Sequence, residues 1–205
     1  YDGATEAGEW VSYIPTDKLP QLYDPPSGII VTANQRIVGT DYPYFLTHSG
    51  AQPYRARRIL DLLNAKPKLS TDDYRQILGD VYSIAYVSFA RDVVKTLRKD
   101  LKPDETKLAS TLDQFEKWDG QVNSDSTVAP LLAQMRAAFR TRVLTAALGA
   151  DLVKIYGWSN FDTTIDRLMA EQPKEWLPKE FGSYADLLRA SYADARAALT
   201  KTLGE

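Results

Sequence analysis

QPYRARRILDLLNAKPKLSTDDYRQIL, residues 52–78, is where the texture of the chain turns helical. Apolar residues begin to recur at three- and four-residue spacing, the period that lets a helix bury one face. A first helix is expected over about 52–65, with Tyr54, Ile59, Leu62 and Leu63 toward one side. It ends before Pro67, whose ring disfavours helical backbone at the residue in front of it. Ser70-Thr71-Asp72-Asp73 then offers an N-cap and first-turn carboxylates for a second helix through about Val81.

Downstream the same texture continues. Ala85 to Leu101 is amphipathic and stopped by Pro103; Asp104 to Trp118 repeats the pattern on Leu108, Leu112 and Phe115. Asp119-Gly120 reads as a helix terminator, since glycine accepts the left-handed conformation common there. Asn123 to Thr127 is a second capping cluster, and Pro130 is tolerated in the first turn that follows. That helix is expected to about Leu148. Shorter segments at Asp151 to Tyr156 and Asp162 to Met169 precede a last helix from Tyr184 to Leu203, striped by Leu187, Leu188, Tyr192, Ala195 and Leu199.

Upstream the character is different. Residues 1–50 hold five of the eleven prolines and five of the eleven glycines around the apolar runs Trp10 to Ile14 and Ile29 to Ala33, which read as short strands and irregular connections. GIIVTAN, 28–34, is continuous rather than alternating and suits a strand buried on both faces. The opening YDGATEAGEW has no initiator Met and reads as strand and turn, as if taken from something longer. The expected fold class is therefore mainly α: a β and loop segment over 1–50 joined to a helical domain over 51–205.

Composition narrows the chemistry. The 205 residues are 44% hydrophobic and 25% charged, enough apolar mass for a substantial core. Lys plus Arg at 25 against Asp plus Glu at 27 leaves no basic footprint for nucleic acid. There is no cysteine, hence no disulfide, thiolate nucleophile or cysteine-ligated zinc. No apolar run reaches the roughly 18 residues of a membrane span. GxxxxGK[ST], GxGxxG and GxSxG are all absent, so phosphate loops and the nucleophile elbow are unsupported.

A few residues stand out. His48, the single histidine, excludes any two-imidazole site and is read as non-catalytic. Arg55, Arg57 and Arg58 place three cations at a helix start, against the dipole, so at least one is expected to have a specific partner. Asn34 ends an apolar run with a side-chain amide. A neutral donor at such a position could meet developing negative charge without proton transfer, although the residues alone favour a turn asparagine.

Four blocks, GEWVSYIPTDKLPQLYDPPSGIIVTAN (8–34), TDYPYFLTHSGAQPYRARRI (40–59), LLNAKPKLSTDDYRQI (62–77) and LDQFEKWDG (112–120) with the SDS cap at 124–126, together resemble the penicillin-acylase-type N-terminal-nucleophile hydrolases. The resemblance covers residues 1 to about 135 and implies a piece of the large subunit of an αββα enzyme. It implies hydrolysis of N-acyl amide bonds by a serine that autocatalytic cleavage exposes, with that residue's own α-amino group as base. The serine is expected outside this chain. In the family's NPPSG-x-I-x-x-A-N block the asparagine donates to the oxyanion hole, and Asn34 matches it; a conspicuous arginine opens the next helix, and Arg55 matches it as an electrostatic element of the site.

The resemblance also implies the rest of the precursor as partner, a small-molecule amide as substrate, no nucleic acid, and export to the periplasm or beyond. Relatives act on penicillins, cephalosporin side chains or acyl-homoserine lactones, so antibiotic metabolism is one expected setting. No cofactor is expected; calcium occurs in some members, without ligands that can be placed here. Gln35 and Arg36 follow Asn34 where the family often has a second asparagine, which implies a different local hydrogen-bond set. The competing expectation is a non-catalytic helical module that stabilises or binds a partner. On either expectation the isolated chain is inactive.

Overall fold

The computed structural model describes residues 3–157 and 161–204. It divides into two compact units, Tyr1–Leu63 and Asn64–Glu205. Eight α-helices are described: α1 Tyr54–Leu63, α2 Thr71–Leu78, α3 Ile84–Arg98, α4 Thr106–Lys117, α5 Val128–Leu148, α6 Leu152–Ile155, α7 Phe161–Glu171 and α8 Tyr184–Leu203. The mainly helical expectation is met, and α5 and α8 end where the sequence pattern ends them. No helix among the described residues is long and apolar enough to cross a membrane.

The β segment is not met. Among the described residues no strand forms, and pairing is limited to two isolated bridges, Gln35 with Ala51 and Tyr82 with Gln121. The apolar runs expected as strands are present, but no neighbouring strand takes up their backbone donors and acceptors. Nor is GIIVTAN buried on both faces: Ala33 is buried, whereas Ile30 is 57% exposed. At the start of the chain, Tyr1 and Asp2 lie outside the described residues, and a single 3-10 turn at Glu6–Gly8 follows.

Local chemistry explains the helix boundaries of the second unit. Ser70 caps α2 by accepting from the Asp73 amide at 3.2 Å, while the Asp73 carboxylate accepts from the Ser70 amide at 2.8 Å, a reciprocal capping box. Gly79 ends α2 ahead of the expected Val81. Ser83 caps α3 through the Tyr86 amide, and Ser183 caps α8 through the Asp186 amide. Glu105 stands at the N-cap of α4 but makes no side-chain cap, because its carboxylate is taken by the Lys102 amide at 2.8 Å and by Arg189 at 2.6 Å. The guanidinium beside it and that amide hold the Glu105 carboxyl below the usual carboxylate range.

Asp119-Gly120 does more than stop α4. The Gly120 carbonyl accepts from the Ser83 amide at 2.9 Å and the Val122 amide donates to the Val81 carbonyl at 3.0 Å, so the turn clasps the connection between α2 and α3. Gly120 has φ of +83° and lies against the Tyr82 ring, where a Cβ would collide. Trp118 seals the clasp by donating its indole N–H to the Gln121 carbonyl at 3.2 Å.

The core lies wholly in this second unit. Helix α5 runs through it, burying Leu132, Met135, Phe139 and Val143 at three- and four-residue spacing. It packs along α8, which contributes Leu187, Leu188 and Ala195, and against α3, which contributes Phe89, Val93 and Leu97. Among the described residues two charged side chains are buried in this unit, Asp92 and Arg136. Arg136, 4% exposed, donates to Asp166 Oδ1 at 2.9 Å and to the Asp162 carbonyl at 2.7 Å, with its guanidinium 5.6 Å from the Phe89 ring centre. Paired in this way, it fixes α7 against α5 without leaving an unsatisfied donor.

Candidate functional site

The site expected from the sequence is a loop and a helix start in the first unit. Asn34 has φ of +64°, in the left-handed region that asparagine tolerates better than most side chains. Its own carbonyl accepts from the Ala51 amide at 2.6 Å, beside the parallel bridge of Gln35 with Ala51. The two stretches approach closely at Gly50, where an added Cβ would lie 3.3 Å from the Arg36 amide nitrogen. Asn34 is thus the hinge of a turn, as the residues alone favoured, and not the end of a strand.

Arg55, in the first turn of α1, reaches back 21 residues to this turn. Its Nη2 donates to the Ala33 carbonyl at 2.8 Å and to Asn34 Oδ1 at 3.0 Å. This is the specific partner expected for one of the three arginines; Arg57 instead pairs with Asp61 along the helix surface at 2.9 Å. The contact decides the orientation of the asparagine. A guanidinium has only donors, so the amide oxygen must face it, and Nδ2 with its two hydrogens is turned away. Asn34 is left as a donor with a fixed direction.

Gln35 supplies what the sequence left open. Its Oε1 accepts from the Ala33 amide at 2.7 Å and its Nε2 donates to the Val31 carbonyl at 3.3 Å, folding the side chain back across the turn. It stiffens the loop that carries Asn34 from the inside. Sequence reasoning noted only that Gln35 departs from the family; its two-sided capability as donor and acceptor is the signal that could have suggested this role.

His48 meets Phe45 at a tilt, with ring centres 4.4 Å apart, and lies on an exposed stretch of the chain. Among the described residues, neither it nor any acidic group joins the Asn34 and Arg55 pair. Among the described residues there is no group of three or more histidines and carboxylates that could hold a metal. What the arrangement can do chemically is therefore narrow: present one oriented neutral N–H donor, backed by a cation.

Comparison with known proteins bears on that geometry. Residues 1–205 match the family described as penicillin amidase. Penicillin acylase 2 proenzyme of Pseudomonas sp. (strain SE83) is 36% identical over 143 residues, which cover 70% of this chain and 18% of the proenzyme. The match spans less than a fifth of that relative's length. With a family match along its whole length, and a residue pattern that had already pointed the same way, the chain belongs to the penicillin amidase family.

Proposed function

We propose that this chain is part of an amide hydrolase and that Asn34 Nδ2 donates to the oxyanion of the tetrahedral intermediate. The observation that carries the reading is the bond from Arg55 Nη2 to Asn34 Oδ1, which aims the amide nitrogen away from the arginine. The positive φ and the Ala51 contact hold the backbone beneath it. A donor fixed before the reaction needs no reorganisation as charge develops on the substrate oxygen, which is the condition under which one hydrogen bond contributes most to rate. Arg55 acts through Asn34 as a positioning residue and adds positive potential to the region.

On this reading the nucleophilic serine, the remaining sandwich of an αββα fold and the acyl pocket belong to other parts of the parent precursor, and the substrate is a small N-acyl amide. Residues 1–50 form a segment of that hydrolase core, and the helices of 51–205 form a helical domain. The related proenzyme supports a precursor that carries further parts, and the family resemblance supports export to the periplasm or secretion. The reading invokes no cofactor.

The test uses the full-length parent protein and acid release from phenylacetyl and long-chain acyl amides. Asn34→Asp keeps an oxygen for Arg55 and a side chain that tolerates left-handed backbone, but offers no N–H. Turnover is expected to fall by roughly a hundredfold to a thousandfold while precursor cleavage, followed on a gel, remains complete. Full turnover in Asn34→Asp would remove Asn34 from the site. Asn34→Gly should fall equally, because it frees the backbone of strain yet also lacks the donor.

A further inference from the structure

Four consecutive peptide planes run through the turn that carries Asn34, and each is tied by a hydrogen bond to a group further along the chain. The Val31 carbonyl accepts from Gln35 Nε2 at 3.3 Å, and the Ala33 amide, one plane on, donates to Gln35 Oε1 at 2.7 Å. The Ala33 carbonyl accepts from Arg55 Nη2 at 2.8 Å, and the Asn34 carbonyl accepts from the Ala51 amide at 2.6 Å. Because a peptide unit is planar, holding one carbonyl or amide holds the whole plane. The backbone from Val31 to Gln35 is therefore set plane by plane, and the single side chain of Gln35 holds the first two.

The link to the Asn34 side chain runs through Arg55. One nitrogen, Nη2, serves both the Ala33 carbonyl and Asn34 Oδ1, the latter at 3.0 Å. If the plane ahead of Ala33 is freed, φ and ψ of Ala33 can relax, its carbonyl swings, and the shared contact no longer closes on both acceptors. Asn34 itself has φ of +64°, a conformation that asparagine tolerates but does not prefer. Ala33 is buried and Gln35 half-buried, so the Gln35 bonds are partly shielded from water, whereas Asn34 is exposed and open to a substrate. Only an amide meets both demands on this side chain. Its oxygen must face the Ala33 N–H and its nitrogen the Val31 carbonyl, and a carboxylate has no donor for the second.

We propose that Gln35 is a positioning residue for amide hydrolysis: it holds the two peptide planes ahead of Asn34, so that Nδ2 keeps one direction toward the developing oxyanion. This role rests on the reading of Asn34 as the oxyanion donor, and adds the residue that sets the donor's direction from the backbone side. The opposing account is that Gln35 stabilises the local turn without bearing on the donor. On that account its loss multiplies with the loss from any other substitution in the site.

A double-substitution cycle on the full-length parent protein separates the two, with a phenylacetyl amide as substrate and turnover counted per cleaved molecule. Gln35→Met is close in length and removes both bonds. Its kcat is expected to fall about tenfold with KM within about twofold, a smaller loss than removal of the donor, because a loosely held donor still reaches the oxyanion part of the time. On the Asn34→Asp background, which has no N–H to aim, the same substitution is expected to change kcat by less than about twofold. Should Gln35→Met not mature, Gln35→Glu, which keeps an oxygen for the Ala33 amide and loses the donor to Val31, carries the same cycle. Unchanged kcat in the Gln35 variant beside a full drop in Asn34→Asp would remove Gln35 and leave the Asn34 reading standing. A loss that repeats on the Asn34→Asp background, or that falls on KM, would reduce Gln35 to a structural role and overturn the proposal. Full turnover in Asn34→Asp would overturn donor and positioning residue together.

Discussion

The two units of this chain are held together by different physics. Asn64–Glu205 has a continuous core in which Phe89, Phe139, Leu132 and Leu187 are almost wholly buried. In Tyr1–Leu63 the buried hydrophobic group is Ala33, α1 buries none of its residues, and Trp10, Val11 and Tyr13 are at least 85% exposed. What orders the first unit is polar: the Ala51 amide on Asn34, the Arg55 guanidinium on Ala33 and Asn34, and Gln35 folded across the turn. A helical face satisfies its own backbone and needs only side-chain burial to be stable. Strand-type sequence needs a neighbour for its backbone as well, and none among the described residues provides it.

The contrast can be broken most directly in the core. Phe139 is fully buried on α5 and meets Phe89 edge to face with ring centres 6.3 Å apart. Phe139→Ala is expected to lower the unfolding free energy of the helical unit by about 3–5 kcal/mol, read from the urea midpoint of the helical circular dichroism signal. A loss under about 1 kcal/mol would mean that this unit does not depend on its packing as described.

The first unit should answer to a polar substitution instead. Arg55→Met keeps a long side chain and removes both guanidinium bonds. The amide of Ala51, which donates to Asn34, should then exchange with solvent faster, by an amount corresponding to about 1.5–3 kcal/mol of lost local protection. Unchanged exchange would show that the turn is held without Arg55, and would weaken the orientation argument for Asn34 with it.

Acid separates the helix caps from the core. The Lys66 ammonium, followed by the Ser70 amide and hydroxyl, holds the Asp73 carboxyl down from 3.8 to about 2. A carboxylate depressed in the folded state contributes stability that is present above its ordinary value and is lost as pH falls through the folded one. Wild-type protein should therefore lose stability as pH drops from 3.8 to about 2, with Asp113, lowered by Arg98, acting in the same direction. Asp73→Asn should flatten part of that slope in urea midpoints measured across the window; an identical slope would take Asp73 out of the account.

The smallest effect is expected where apolar residues are most exposed. Trp10→Ser and Tyr13→Ser should change the stability of this chain by no more than about 0.5 kcal/mol, because little surface is buried there to lose. A loss above about 1 kcal/mol in thermal or urea unfolding would show that these side chains are packed after all.

Much of the helical unit was legible beforehand, and the reason is locality. Ser70 with Asp73, Ser83 and Ser183 cap helices through amides three residues away, and the stripes of α5 and α8 lie within single elements. Where reading failed, the deciding contact lay far along the chain. Glu105 stands at the start of α4, where a local cap is the ordinary role, but Arg189, 84 residues later, takes its carboxylate. Asp119-Gly120 was expected only to end a helix, but it pairs with the stretch at 81–83. The strands at Trp10 to Ile14 and Ile29 to Ala33 were expected from apolar content, which cannot state whether a neighbour is there to pair with.

By itself, then, the sequence determined the helix set, the Ser70 to Asp73 cap, the lack of any cysteine, and a family resemblance that the full-length family match bears out. Tertiary structure alone decided that Arg55 meets Asn34 across 21 residues and turns its amide, that Arg136 is buried against Asp166, and that Arg189 takes the Glu105 carboxylate across 84 residues. The division has one physical cause. Periodicity and capping act over three or four residues and are written in order along the chain, whereas the direction of a donor or the balance of charge around a cavity is a sum over groups that only folding brings within a few ångströms of one another.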